Sequence, residues 1–162
     1  MEFNSEGIEP QVLKEMYRMM LKIRKVEEQI AELLIASEIV CPTHLYIGEE
    51  AIATGACKTL DMTDYVFSNY RGHGHYLAKG GNLNKMFAEL YGKSTGTSKG
   101  KGGSMHLVAP EVSMKLVNTA MVGSQISHAV GAALAISLNG EKKVSLVFFG
   151  DAGTDTGGFY ES

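Results

Sequence analysis

The densest chemical signal in the chain is Phe148-Phe-Gly-Asp-Ala-Gly-Thr-Asp-Thr-Gly157. It begins inside an apolar run, Val144-Ser-Leu-Val-Phe-Phe149, of the kind that forms a buried parallel strand. Ligands of open parallel sheets bind where strands end, and Asp151 stands just past that end. Glycine lets backbone approach a phosphate closely, and a carboxylate offers oxygen to a hard cation. A divalent ion between Asp151 and a phosphate would remove the repulsion between two negative groups. Taken alone, Gly-Asp after a strand also makes an ordinary turn.

Two commoner glycine motifs are excluded. The dinucleotide fingerprint needs glycine at its third and sixth positions, and counting from Gly150 finds Ala152 and Asp155 there. A P-loop ending in Gly92-Lys93-Ser94 would need glycine where Phe87 stands. Other groups remain. Tyr70-Arg71 follows a second strand-like run, Tyr65-Val-Phe-Ser68, and a planar guanidinium there can grip phosphate oxygens in pairs. It can equally be a surface ion-pair residue. His44, His73, His75, His106 and His128 all lie in or beside Gly/Ser-rich or helix-entry segments. His44 and His73 are the candidates for offsetting negative charge near neutral pH, whereas His128 reads as a packed structural histidine. Lys99-Gly-Lys-Gly-Gly-Ser-Met-His106 is cationic and flexible, and composition alone allows a solvated linker.

The elements that must position these residues are legible from periodicity. Leu13, Met16, Tyr17, Met20, Ile23, Ile30, Leu33 and Leu34 predict a helix from Pro10 to Glu38, with Pro42 beyond it. A second helix is expected over Glu49–Leu60, a third over Leu83–Tyr91 capped by Asn82, and another over Ser124–Leu138 stopped by Asn139-Gly140. Asn69–His75 reads as a polar loop, and Gly92–Gly103 leaves no room for a regular element. Helices alternating with few apolar strands predict an α/β fold in which Val144–Phe149 is a central parallel strand.

With 44% hydrophobic and 20% charged residues, the chain is compositionally an ordinary globular domain. A net charge of −3 argues against nucleic acid or an anionic membrane as partner. Any anion site must therefore come from a few local cations and amides. Cys41 and Cys57 are too few for a disulfide framework, which points to a reducing cytoplasm. Met1-Glu-Phe-Asn-Ser-Glu6 has no apolar run for a secretory signal, and Ala129–Leu138 is roughly half a membrane span.

Three segments together resemble the α subunit of the thiamine-diphosphate-dependent E1 component of pyruvate, branched-chain 2-oxo-acid and acetoin dehydrogenases. They are His44-Leu-Tyr-Ile-Gly-Glu-Glu-Ala51, Tyr70-Arg-Gly-His-Gly74 with Lys99–His106, and Gly150-Asp151 after its strand. The resemblance runs from about Leu13 to Ser162 and implies a thiamine-diphosphate-binding fold, a parallel sheet flanked by helices, here truncated. It implies residues 1–40 as an N-terminal helical segment and 41–162 as a partial thiamine-diphosphate-binding domain. Tyr70 and Arg71 match the pair that meets the cofactor diphosphate, and Ala120 and Val122 match the backbone stretch beside the aminopyrimidine. Asp151 matches the Mg2+ ligand, with Ala152 and Gly153 next to it, and His44 matches a histidine near the substrate carboxylate.

The implied activity is oxidative decarboxylation of a pyruvate-like 2-oxo acid with acyl transfer to a lipoyl carrier. The implied partners are an E1 β subunit in an α2β2 assembly and a lipoyl-bearing E2 component. An acetoin dehydrogenase α subunit, or an inactive partner-binding fragment, are the alternatives. Two departures and one missing part stand out. Thr154-Asp155-Thr156 replaces a family stretch that is often Ala/Thr followed by Asn or Glu, so that Asp155 adds a negative charge near the expected diphosphate. The family's Gly-Asp-Gly-Ala appears as Gly150-Asp-Ala-Gly153, so Ala152 would be strained if its position needed positive φ. The family's later metal-site asparagine has no counterpart in this sequence, so the 162-residue chain alone is expected to be inactive.

Overall fold

The computed structural model describes residues 7–113 and 116–162; the acidic start, Met1 to Glu6, lies outside them. Helix α1 spans Pro10–Ile35, with proline in the first turn where its missing N–H is not needed. It ends three residues before the sequence expectation. Ser37 turns left-handed at φ 58°, Ser37 N–H donates to the Leu34 carbonyl and Glu38 N–H to that of Leu33. This pair of bonds closes the helix as glycine usually does.

The inner face of α1 carries Ile23, Val26, Glu27 and Ile30 at helical spacing. It packs on α2 (Glu50–Lys58) and α3 (His73–Ala78). Ile23 and Ile30 are fully buried in one core with Tyr46, Ala53, Tyr76 and Leu77. Each such isoleucine is worth about 1.5–3 kcal/mol over its exposed state. The N-terminal helical segment and the residues after 40 therefore share a core.

Strand β1 (Tyr65–Asn69) is the middle of a three-stranded parallel sheet, between β2 (Leu116–Thr119) and β3 (Ser145–Val147). The apolar run expected as a central strand is thus an edge strand among the described residues, half-buried and only three residues long. Strand β1, buried at Val66, Phe67 and Ser68, takes the centre because β2 pairs on its other side, in register at Phe67–Leu116 and Asn69–Thr119. Leu116-Val-Asn-Thr119 is too short for any period to reveal it.

Helix α4 (Leu83–Leu90) opens where expected, the Asn82 side chain accepting the Lys85 N–H at 3.1 Å. Helix α5 (Ser124–Leu138) has its expected bounds and lies across the sheet. It buries Ile126, Ala129 and Ile136 and leaves Val130, Leu134 and Leu138 exposed. His128 is exposed on this helix, not packed as expected. A five-residue helix, α6 (Gly157–Glu161), follows β3. No helix among the described residues is long and apolar enough to cross a membrane.

Helix α3 begins inside the stretch expected to be a polar loop and takes its last three residues, His73–His75. It buries His73, Gly74, His75, Tyr76 and Leu77, so its histidines meet partners instead of water. A Cβ on Gly74 would sit 2.2 Å from the Tyr46 ring, which explains the glycine inside a short helix.

Candidate functional site

Because the sheet is parallel, its three carboxyl ends face one edge, and the residues expected at the diphosphate, metal and aminopyrimidine lie beyond it. Ala120 and Val122 follow β2, Tyr70 and Arg71 follow β1, and Asp151, Ala152 and Gly153 follow β3. This is where open α/β sheets bind ligands.

A cleft of about 210 Å³ at this edge is lined by Glu49, Tyr70, Arg71, His75, Phe149 and Asp151, among others. Arg71 is pinned at several points. Its N–H donates to the Asn69 side chain at 2.9 Å, its Nη1 donates to the Leu45 carbonyl, and its Nε lies 3.4 Å from Glu49 Oε1. Holding the guanidinium this way lowers the entropy lost when it meets an anion. Tyr70 packs its ring on His44 at 4.7 Å with a 58° tilt, so the exposed His44 stands beside the cleft.

The floor is a neutral histidine, His75, which was not among the sequence's charge-offsetting candidates. His75 lies 2.6 Å from Ser68 Oγ and 3.0 Å from Tyr46 Oη, and stacks on Phe148 at 3.8 Å. Burial pushes its pKa down to about 3 and pushes the Tyr46 phenol up. At neutral pH the floor is therefore polar and uncharged, while the walls carry one guanidinium and two carboxylates, Glu49 and Asp151. An anion alone would meet repulsion there; an anion with a divalent cation would not.

His73 does not reach this cleft. It is fully buried, with Nδ1 2.7 Å from Glu27 Oε1 and Nε2 2.7 Å from Ser104 Oγ. Both ring nitrogens are engaged away from solvent, so the structure does not bring His73 into the cleft beside His44, where it was expected to offset negative charge. Val122 lines a separate cleft of about 230 Å³ with Met121, Ser124, Ser127 and Thr156, while Ala120 is exposed. Val122 is thus not brought against Arg71 and Asp151.

The exchanged pair beside Asp151 has a steric explanation. Ala152 is exposed inside a right-handed 3-10 turn, Asp151–Asp155, and is not among the positive-φ residues, so the anticipated strain is absent. Gly153 is buried, and a Cβ there would lie 3.0 Å from Phe149 Cδ2 and 3.3 Å from its Cβ. A methyl group at 153 would press on the Phe149 side chain, which would have to give by a few tenths of an ångström.

The glycine-rich segment is no solvated linker. Glu89, 1% exposed, accepts N–H bonds from Ser98 (2.7 Å) and Gly100 (2.9 Å) on Oε2. Gly102 (2.7 Å) and Gly103 (3.1 Å) bond its Oε1. Burial pushes this carboxyl up, but the four N–H donors outweigh it and hold it below its usual range. The loop's inward amides hold an internal carboxylate instead of a phosphate. Arg24 Nε meets Glu50 Oε1 at 2.7 Å, and that contact, against an opposing burial cost, brings the Glu50 carboxyl down to about 2. It ties α1 to the helix that follows the His44 segment. Glu27, Glu50 and Glu89 were all missed as organisers; Glu27 had a signal, being a charge on the apolar stripe between Ile23 and Ile30.

A braced guanidinium and a carboxylate beyond a strand end thus share one cleft at the carboxyl edge of a parallel sheet in an α/β protein. The chain belongs to the dehydrogenase E1 component family, whose model matches residues 17–162. It is 44% identical over 146 residues to the α subunit of acetoin:2,6-dichlorophenolindophenol oxidoreductase of Bacillus subtilis, covering 90% of this chain and 44% of that protein. It is 42% identical over 146 residues to the pyruvate dehydrogenase E1 component subunit α of Rhizobium meliloti, covering 90% of this chain and 42% of the relative. With that of Zymomonas mobilis the identity is 39% over 151 residues, 93% and 42% of the two chains. The chain spans less than half the length of these relatives.

Proposed function

We propose that this chain is the diphosphate- and metal-anchoring part of the α subunit of a thiamine-diphosphate-dependent 2-oxo-acid dehydrogenase. The observation that carries this reading is the meeting of Tyr70, Arg71 and Asp151 in one cleft at the carboxyl edge of a parallel sheet. The donor set fits that end of the cofactor. Arg71 supplies paired N–H donors to phosphate oxygens, Tyr70 a hydroxyl, and Asp151 an oxygen ligand for Mg2+. The cleft, at about 210 Å³, is smaller than the usual 300–1,000 Å³ of a whole ligand site. It suits the diphosphate and metal, with the backbone at Ala120 and Val122 serving the aminopyrimidine side.

Bound thiamine diphosphate supplies a carbon nucleophile and an electron sink for decarboxylating a pyruvate-like 2-oxo acid. The residues of this chain bind and orient. Arg71, braced by Leu45 and Glu49, fixes the diphosphate; Asp151 fixes the metal; His44, braced on Tyr70, faces the substrate carboxylate. The neutral floor at His75 adds no charge to oppose either ion. The remaining groups come from an E1 β subunit in an α2β2 assembly, and a lipoyl-bearing E2 component takes the acyl group. A cytoplasmic location accords with the free thiols of Cys41 and Cys57. Acetoin cleavage is the second reading, favoured by the acetoin-named relative at 44% identity. Pyruvate against acetoin as substrate of the assembled enzyme separates the two.

The test is calorimetry of thiamine diphosphate binding to the assembled protein, with and without Mg2+. Wild type should need Mg2+ for tight binding, and Asp151→Ala should lose most of that dependence. Equal Mg2+ dependence in both would remove Asp151 from the metal site and overturn the reading.

A further inference from the structure

Two segments of the cleft meet at one buried carboxylate, and the glycine-rich segment reaches it through His73. Glu27, midway along α1, has no exposed surface. Its Oε2 accepts the Tyr46 N–H at 2.9 Å, fixing the segment that carries His44. Its Oε1 accepts from His73 Nδ1 at 2.7 Å, two residues beyond Arg71. An ionised carboxylate has no hydrogen to give, so Nδ1 is the protonated nitrogen. Nε2 lies 2.7 Å from the Ser104 hydroxyl, which it meets as acceptor when the ring carries a single proton, and this contact reaches the glycine-rich segment. On the cleft side, Arg71 Nη1 donates to the Leu45 carbonyl, so residues 45 and 46 are held from both directions.

Packing alone does not explain a carboxylate here. An isoleucine or leucine at position 27 would complete the stripe of Ile23, Val26 and Ile30, and a buried charge is a poor stabiliser compared with a well-packed apolar side chain. What Glu27 offers that they cannot is two acceptor oxygens aimed at two different segments.

We infer that Glu27 is a positioning residue for the cleft. One oxygen sets the His44 segment, and the other sets the Arg71 segment through His73. The Ser104 link ties the glycine-rich segment to the same point. The separation of His44 from Arg71 is thereby fixed by a residue that touches neither. This rests on the cleft being the cofactor site proposed above.

The test uses the assembled protein and three variants. Glu27→Gln keeps size and shape. Its one oxygen is claimed by the Tyr46 N–H, which can only donate, so its NH2 group faces His73 Nδ1. His73 must then carry its proton on Nε2 and donate to Ser104. Nitrogen-15 NMR of the histidine rings should show the Nδ1–H form in wild type and the Nε2–H form in Glu27→Gln. Ser104→Ala cuts only the outer link and should speed amide exchange about tenfold in residues 99–106, leaving 44–46 as in wild type. Glu27→Ala should weaken thiamine diphosphate with Mg2+ tenfold or more and loosen 44–46 and 71–73 together, with Glu27→Gln recovering most of that loss. The same His73 tautomer in wild type and Glu27→Gln would overturn the inference, even if Glu27→Ala does not fold. So would loosening of one segment without the other in Glu27→Ala. If the tautomer switches as expected but wild type binds no thiamine diphosphate, the cofactor reading falls and the positioning role stands.

Discussion

Replacing Glu89 by glutamine should unfasten the glycine-rich segment. The native carboxylate collects four backbone N–H groups, two on each oxygen, while being 1% exposed. Glutamine keeps one oxygen and so two of these bonds; its NH2 group turns donors toward the other two N–H groups. Two charge-assisted bonds are lost, at about 1.5–3 kcal/mol each, so the cost is about 3–6 kcal/mol. Against the usual 5–15 kcal/mol for a domain this is severe, equivalent to roughly 6–24 °C in Tm.

The same carboxylate makes a pH prediction. Its folded pKa is depressed because four N–H donors overcome the burial penalty. Its stabilisation is therefore fully present above the unfolded value of about 4.3 and is lost as pH falls through the folded value. Denaturant melts at pH 7 should show the loss in Glu89→Gln. Melts from pH 5 down to 3 should show a shallower acid slope in the variant, which lacks this group. A difference under about 1 kcal/mol at pH 7, or parallel acid slopes, would refute the assignment of Glu89 as the loop's anchor.

Other expectations follow from the same geometry. His75, with its pKa down at about 3, should show no imidazole titration between pH 5 and 8 by NMR. The unfolded chain takes up its proton near pH 6.5, so His75 costs stability as pH falls from there toward 3; His75→Phe should flatten that part of the stability curve. Gly153→Ala should cost about 1–3 kcal/mol by overpacking on Phe149, whereas Ala152→Gly in its exposed turn should cost under about 1 kcal/mol in the same melts. The exposed Val130, Leu134 and Leu138 on α5 should drive concentration-dependent self-association of the isolated chain. Sedimentation should find it weakened in a Leu134→Lys, Leu138→Lys variant.

What could be read in advance followed from local chemistry. Asn82 and Asn139-Gly140 bound their helices because capping is decided within a few residues. Tyr70, Arg71 and Asp151 share a cleft because residues just past parallel strand ends are delivered to one edge. What escaped depends on distant partners. β2 exists through pairing with β1, not through its own four residues. His73 and His75 look like solvent-facing loop residues until Glu27, Ser104, Ser68 and Tyr46 surround them. The conflict at Glu27, a charge on an apolar stripe, was visible but had no meaning without the segments it holds. Asp151 and Val122 lie on one edge yet line separate clefts, a distinction that no spacing along the chain encodes.

The central claim is that Arg71 anchors a diphosphate in this cleft. Isothermal calorimetry of thiamine diphosphate with Mg2+, on the chain assembled with the proposed β subunit, addresses it directly. Arg71 meets the Leu45 carbonyl and Glu49 at the protein surface, so its removal should leave the core intact. Arg71→Ala should weaken binding by about 1.5–3 kcal/mol, the worth of a charge-assisted hydrogen bond, or roughly 10- to 150-fold in Kd. Tm should change little in the absence of cofactor. A Kd unchanged from wild type would contradict the account and take Arg71 out of the site.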